Sequence, residues 1–283
     1  MIKIIYSKKC SEYGQMGHPE SPVRVTGTYD YLLKKNWEFV NPAGCRTQDI
    51  LRAHTRSLLD EVKSGGFNDP DTPDYNGIYE YAVLSAGAAC MAGDGCFNEP
   101  HFSLMRPPGH HATRSRLGGF CYFNNIAISV LKLLSEKDIG RAAILDIDCH
   151  HGNGTQDIFL GDKRALFVSL HQVPLYPGTG HRSQDNCLNF PLSPGTDEKM
   201  YMSVLDTAIG KIREFGPEVL AVSAGFDTYR GDPLTQMNLE KTTYRKIGEH
   251  ISELNLPRYA VLEGGYSPDL PECIYNFLVG FGG

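Results

Sequence analysis

The chain has 283 residues, 41% hydrophobic and 21% charged, an ordinary globular composition that argues against disordered, collagen-like and coiled-coil classes. A chain of this length buries roughly 75% of its unfolded surface, enough for a full core without disulfide or metal staples. The net charge of −6 argues against nucleic acid as the main partner, because phosphate binding needs a basic surface. An acidic surface instead mildly favours cationic substrates.

No apolar run approaches the roughly 18 residues of a membrane span, and the N-terminal MIKIIYSKKC lacks a signal-peptide core. The eight cysteines, at 10, 45, 90, 96, 121, 149, 187 and 273, form no CxxC pair. They read as reduced thiols of a cytoplasmic protein rather than as a disulfide framework or a four-cysteine zinc site.

In chain order, short runs that are apolar on both faces predict buried strands at 2–6, 102–105, 142–147, 166–170, 219–223 and 259–262. Such runs suit a sheet covered on both sides. Helix-period segments at 78–91, 125–136, 198–214 and 239–254 fall between several of them. This alternation indicates an α/β fold with a mostly parallel sheet and right-handed crossovers. The Gly-, Pro- and Asp-rich stretches 64–76 and 173–196 read as surface loops, leaving one domain over 1–283.

Ligands of open α/β sheets gather beyond the carboxyl ends of the strands. There the sequence places Arg106-Pro-Pro-Gly-His110-His111, Asp148-Cys-His150-His151-Gly-Asn153, Ala-Gly-Phe-Asp227 and Glu263-Gly-Gly-Tyr266. Asp148 and His150 are two residues apart at a strand end, so both project to one side. With Asp227 arriving from another strand they make a three-ligand metal site with an open position. His110 and His111 suit acid–base work beside a metal, with Asp146 and Asn153 as partners that orient the rings. Tyr266, after two glycines, suits stabilisation of an oxyanion. A DxH spacing alone is more often a capped turn and a core histidine; it is the combination that points to metal chemistry.

These segments resemble the zinc-dependent histone deacetylase and acetylpolyamine amidohydrolase superfamily. HPESPVR (18–24), RPPGHHA, GGFCYFNN, DIDCHHGNG, VSLH, YPGTG, SAGFD, GDPL and LEGGY occur in the family's order across almost the whole chain. RPPGHHA, GFCYFNN and the Asn of HHGNG look closest to the class II and bacterial branch. The resemblance implies a three-layer arginase-like fold, with zinc held by Asp148, His150 and Asp227. It implies His111 as general base and acid, His110 as electrostatic partner and Tyr266 polarising the acyl carbonyl. It also implies Gly119, Phe120 and Tyr176 along an acyl-chain tunnel, Asp71 at the rim and Arg24 on the acetate-release side. A K+ or Na+ ion is expected near Asp146, Asp148, His150, Ser169 and Leu170.

Leu234 of GDPL stands where polyamine-selective relatives carry a glutamate. The region around 18–24 is short, with no room for the dimer-building insertion of bacterial acetylpolyamine amidohydrolases. SAGFD offers one carboxylate, which points away from the two-manganese chemistry of arginases. The expected reaction is therefore metal-assisted hydrolysis of a linear acylated primary amine, an acetyl-lysine peptide ahead of an acetylated polyamine. A non-catalytic acyl-binding module should lack a ligand, a histidine of the pair or the tyrosine, and none is missing. Fe(II) and Co(II) compete with zinc for the same donors. Oligomeric state is left open.

Overall fold

The computed structural model describes residues 2–283. Eight strands form one sheet: β1 (Lys3–Ile5), β2 (Phe39–Val40), β3 (His101–Ser103), β4 (Ala142–Asp146), β5 (Ala165–Gln172), β6 (Cys187–Leu192), β7 (Val219–Ala224) and β8 (Arg258–Leu262). Their order is β2-β1-β3-β8-β7-β4-β5-β6, and every neighbouring pair is parallel. The expected mostly parallel α/β sheet is what forms. β4, β5 and β7 are buried along their whole length, which is why they read as continuous apolar runs.

Nine helices cover the sheet: α1 (Val23–Leu33), α2 (Thr47–Ala53), α3 (Arg56–Ser64), α4 (Ile78–Gly95), α5 (Asn125–Glu136), α6 (Asn153–Phe159), α7 (Glu198–Phe215), α8 (Thr243–Ser252) and α9 (Leu270–Phe281), counted among the described residues. α1, α7, α8 and α9 pack together as one layer and α2 to α6 as the other. None of these helices is long and apolar enough to cross a membrane.

Local chemistry explains several boundaries. Asn124 caps α5 by accepting from the Ala127 N–H at 3.0 Å, and Asp197 caps α7 through Met200 N–H at 2.9 Å, each satisfying an orphan donor. β6 lies inside a stretch that reads as loop. It is an edge strand with Pro191 in it, and an edge tolerates the missing donor while the proline hides the strand pattern. α8 begins at Thr243 rather than 239. Leu239 is held in the preceding loop, where its carbonyl takes the Arg230 N–H at 2.9 Å. α1, α2, α3, α6 and α9 were not expected; α6 opens inside a glycine-rich motif that looks like a turn.

A buried ion pair fastens the N-terminal segment to the loop after β3. Arg106, with no exposed surface, donates from Nε to Glu20 Oε1 at 2.5 Å and from Nη2 to Oε2 at 2.7 Å. Its Nη1 reaches the carbonyl of Cys10 at 2.7 Å. Burial alone would raise the Glu20 carboxyl, but Arg106 and Arg24 outweigh it and hold it below the usual range. Removing one partner of a buried pair leaves the other charge uncompensated.

Glu20→Gln should therefore lower the unfolding free energy by about 3 kcal/mol, read by urea denaturation at pH 7. A depressed carboxyl stabilises above its unfolded pKa and loses that contribution as pH falls. The gap between wild type and variant should thus narrow below about pH 4.

Candidate active site

β3, β8, β7 and β4 are consecutive in the sheet, so the loops that follow them open onto one edge. That order brings RPPGHH, LEGGY, SAGFD and DIDCHH together. One ligand atom each from Asp148, His150 and Asp227 lie within 4.8 Å of one another. His150 Nδ1 is 2.8 Å from Asp227 Oδ2 and 3.2 Å from Asp148 Oδ1. Backbone donors orient the carboxylates: Cys149 N–H reaches Asp227 Oδ1 at 2.8 Å, His150 N–H reaches Asp148 Oδ1 at 2.8 Å, and Gly264 N–H reaches Asp148 Oδ2 at 2.7 Å.

Both aspartates are fully buried. Among the described residues their only ion-pair partners are His110 and His150, with no lysine or arginine. Two buried carboxylates and an imidazole with so little compensation fit a divalent cation. The approach is tight at Gly264, where a β-carbon would lie 2.6 Å from the Oδ2 atoms of both Asp148 and Asp227.

The two adjacent histidines differ in their partners. His110 Nδ1 is 3.0 Å from Asp146 Oδ2, and His111 Nδ1 is 2.8 Å from Asn153 Oδ1, at the start of α6. Burial opposes a charge on His110, but Asp146, Asp148 and Glu263 outweigh it and push its pKa up to about 10. Burial, together with the charges of His110 and His150, holds His111 well below its ordinary value. With the rings 4.0 Å apart, one is set to hold a proton and its neighbour to lack one.

A pocket of about 240 Å³ opens above them, lined by Asp71, His111, Gly119, Phe120, His150, Leu175, Tyr176, Leu234 and Tyr266. The Phe120 ring stands edge-on to Tyr266 at 5.9 Å, and Tyr176 edge-on to His111 at 5.0 Å. Phe120 has φ 69°, a left-handed conformation unusual for a bulky residue and costly to hold. Its N–H donates to Thr72 Oγ1 at 3.0 Å, and paired hydrogen bonds between Gly118 and Cys121 close the turn. A β-carbon at Gly119, where φ is 58°, would fall 2.5 Å from the His111 ring.

Arg24, on α1, lies behind the pocket. It donates from Nε to the Gly265 carbonyl at 2.7 Å and from Nη1 to Glu20 Oε1 at 3.1 Å, with Nη2 on the Glu263 carbonyl. Its guanidinium sits 4.9 Å from the Tyr266 ring centroid. Asp71 is exposed at the mouth, its N–H bonded to Asp69 Oδ1 at 3.0 Å. Ser169 and Leu170 lie on β5, with Ser169 opposite Asp146 in register and bonded to His171 at 2.9 Å.

The sequence assigned no role to Glu263, which is fully buried. Its Oε2 accepts the N–H groups of Gly109 and His110 at 2.7 and 3.1 Å, and its Oε1 accepts Ser223 Oγ at 3.0 Å. A charged residue closing an apolar strand was the available signal. Leu175 was missed as well; a leucine beside Tyr176 carries no chemical signature.

The sequence matches the histone deacetylase domain over residues 18–279. The chain belongs to the histone deacetylase family. A probable deacetylase of Archaeoglobus fulgidus is 40% identical, over 88% of this chain and 77% of that protein. The acetylpolyamine amidohydrolase of Mycoplana ramosa is 35% identical, over 90% and 81%. The crystal structure of an acetylpolyamine aminohydrolase from Burkholderia pseudomallei superposes with a TM-score of 0.92 at 26% identity, covering 100% of this chain and 99% of that one. The protein is thus a hydrolytic deacetylase with the arginase-like fold.

In this deacetylase, Gly264→Ala should weaken divalent-metal binding about tenfold, at the low end of what disturbing a ligand's support costs. Titration against a fluorescent chelator checks it, with circular dichroism unchanged.

Proposed function

We propose that this deacetylase is zinc-dependent and hydrolyses the amide of a linear acylated primary amine, giving a short carboxylate and a free amine. The observation that carries this is the meeting of the Asp148–His150–Asp227 trio, His111 and Tyr266 at one narrow, aromatic-lined pocket. Asp148, His150 and Asp227 would hold the zinc, with Fe(II) or Co(II) as competitors for the same donors. When bound, that ion supplies the Lewis-acid charge that polarises an acyl carbonyl and makes a water more acidic.

The chain's own residues do the rest. Asn153 accepts from His111 Nδ1, which leaves Nε2 of a neutral ring free to take the proton of the attacking water. The same ring returns that proton to the departing amine. His110, kept cationic by Asp146, adds positive charge beside the reacting centre. The Tyr266 hydroxyl donates to the developing oxyanion. Gly119, Phe120 and Tyr176 line a slot for an unbranched methylene chain and keep bulk water out.

Arg24, behind Tyr266, suits the side on which the short carboxylate leaves. Family membership and the register pairing of Asp146 with Ser169 support a K+ or Na+ ion at the carbonyls of Asp146, Asp148, His150 and Leu170, with Ser169. We read residues 1–283 as one catalytic domain, and the eight free cysteines suit a reducing cytoplasm.

At the rim, Asp71 is placed to accept peptide N–H groups, and Leu234 offers no carboxylate for an internal ammonium. An acetyl-lysine peptide is accordingly the preferred substrate class. A second reading, an acetylated polyamine, is favoured by the names of the relatives and by Asp69 close to the mouth.

Tyr266→Phe should retain fold and metal and lower kcat by roughly 10²–10³; wild-type kcat would make the tyrosine a packing residue. For the substrate, kcat/KM is compared between an acetyl-lysine peptide and acetylspermidine, in wild type and in Leu234→Glu. The peptide should lead in wild type, and the glutamate should shift preference toward the polyamine. A wild type favouring the polyamine by about tenfold, or ~1.4 kcal/mol of transition-state binding, selects the second reading.

A further inference from the structure

Asp232, in the loop between β7 and α8, is a buried carboxylate that the chemistry above does not use. It is 7% exposed, and among the described residues it has no ion-pair partner. Its two oxygens are both taken by backbone. Oδ2 accepts the N–H of Tyr266 at 2.7 Å, and Oδ1 accepts the N–H of Leu234 at 2.9 Å. One carboxylate thus grips the peptide of the tyrosine and the peptide of the rim leucine.

The tyrosine needs such a grip. It follows Gly264 and Gly265, and Gly265 has φ 113°, so the chain reaching it has no side chains to lock it. Each peptide group there is fastened from a different element. Gly264 N–H goes to Asp148, the Gly264 carbonyl takes Phe226 N–H at 3.1 Å, and the Gly265 carbonyl takes Arg24. Asp232 makes the corresponding bond for Tyr266 itself. Within the same loop, Thr235 Oγ1 donates to the carbonyl of Asp227, one of the three residues proposed to hold the metal. At 2.7 Å the bond to the Tyr266 N–H lies at the short end of the N–H···O range, and it fixes the peptide that carries the phenol.

We infer that Asp232 is a positioning residue for Tyr266, setting the reach of its hydroxyl and fixing the Leu234 rim in the same clamp. This rests on the role proposed above for Tyr266. Asp232→Asn can satisfy one of the two N–H groups with its oxygen but turns an NH2 toward the other. A displacement of about 1 Å at a reacting group can cost up to 10²-fold, so a partial slip should lower kcat by about tenfold. KM for a short acetyl-lysine peptide should stay within about twofold, and metal stoichiometry should not change.

The deciding measurement is the double-mutant cycle with Tyr266→Phe. In the phenylalanine background Asp232→Asn should change kcat by less than about twofold, because the hydroxyl it positions is gone. Asp232→Glu, which keeps the carboxyl group but moves the acceptors by one methylene, should behave the same way and serves if the asparagine variant does not fold. An equal loss of kcat in both backgrounds, or wild-type kcat in both Asp232 variants, overturns the inference. If Tyr266→Phe alone leaves kcat unchanged, it is the role of the tyrosine that fails, and the inference falls with it.

Discussion

Asp146, Asp148, Asp227 and Glu263 are all fully buried within one edge of the sheet, and satisfying these four carboxylates organises the rest of the molecule. Unpaired, each would cost several kcal/mol. No lysine or arginine salt bridge reaches any of them among the described residues. Backbone N–H groups do much of the work: those of Asp148, Cys149, His150, Gly264, Gly109 and His110 all point inward at carboxylate oxygens. Loops that turn their donors inward in this way must approach closely. That is the physical reason glycine stands at 264, beside both aspartates.

The same carboxylates make two neighbouring imidazoles unlike. His110 faces Asp146, a charged acceptor, whereas His111 faces the neutral amide of Asn153. Burial is common to both rings, so the sign of the net effect is decided by the partner. His110, once charged, further lowers its neighbour. An adjacent pair of histidines is therefore pushed in opposite directions, one toward holding a proton and the other toward lacking one, without any difference in sequence type.

A second network runs through the back of the site. Glu20 binds both Arg106 and Arg24, and Arg24 continues to the carbonyls of Glu263 and Gly265. The N-terminal HPESPVR segment and the C-terminal LEGGY segment are thereby joined beneath the tyrosine. Phe120 belongs to a different support. Its strained backbone is held by Thr72 and the Gly118–Cys121 turn, so the loop over 64–76 takes part in shaping the pocket wall.

What the sequence alone determined was the pattern of buried strands and the identity of the residues at their carboxyl ends. Apolar runs such as 142–147 and 219–223 are legible because a strand covered on both faces needs apolar side chains on both. The Asp148/His150 pair is legible from its residue types and spacing, but β4 ends at Asp146 and the two side chains come together in the bend after it rather than along an extended strand. Tertiary structure decided the rest. The order β3-β8-β7-β4 brings Asp227 to within 4.8 Å of Asp148 and His150, and no local pattern encodes which strands become neighbours. β6 stayed hidden because its proline is tolerated only at an edge, and an edge is a property of the finished sheet. The functions of Glu263 and Glu20 were hidden for a related reason. A lone glutamate reads as surface until folding buries it against partners 153 or 86 residues away, and only long-range packing makes that burial affordable.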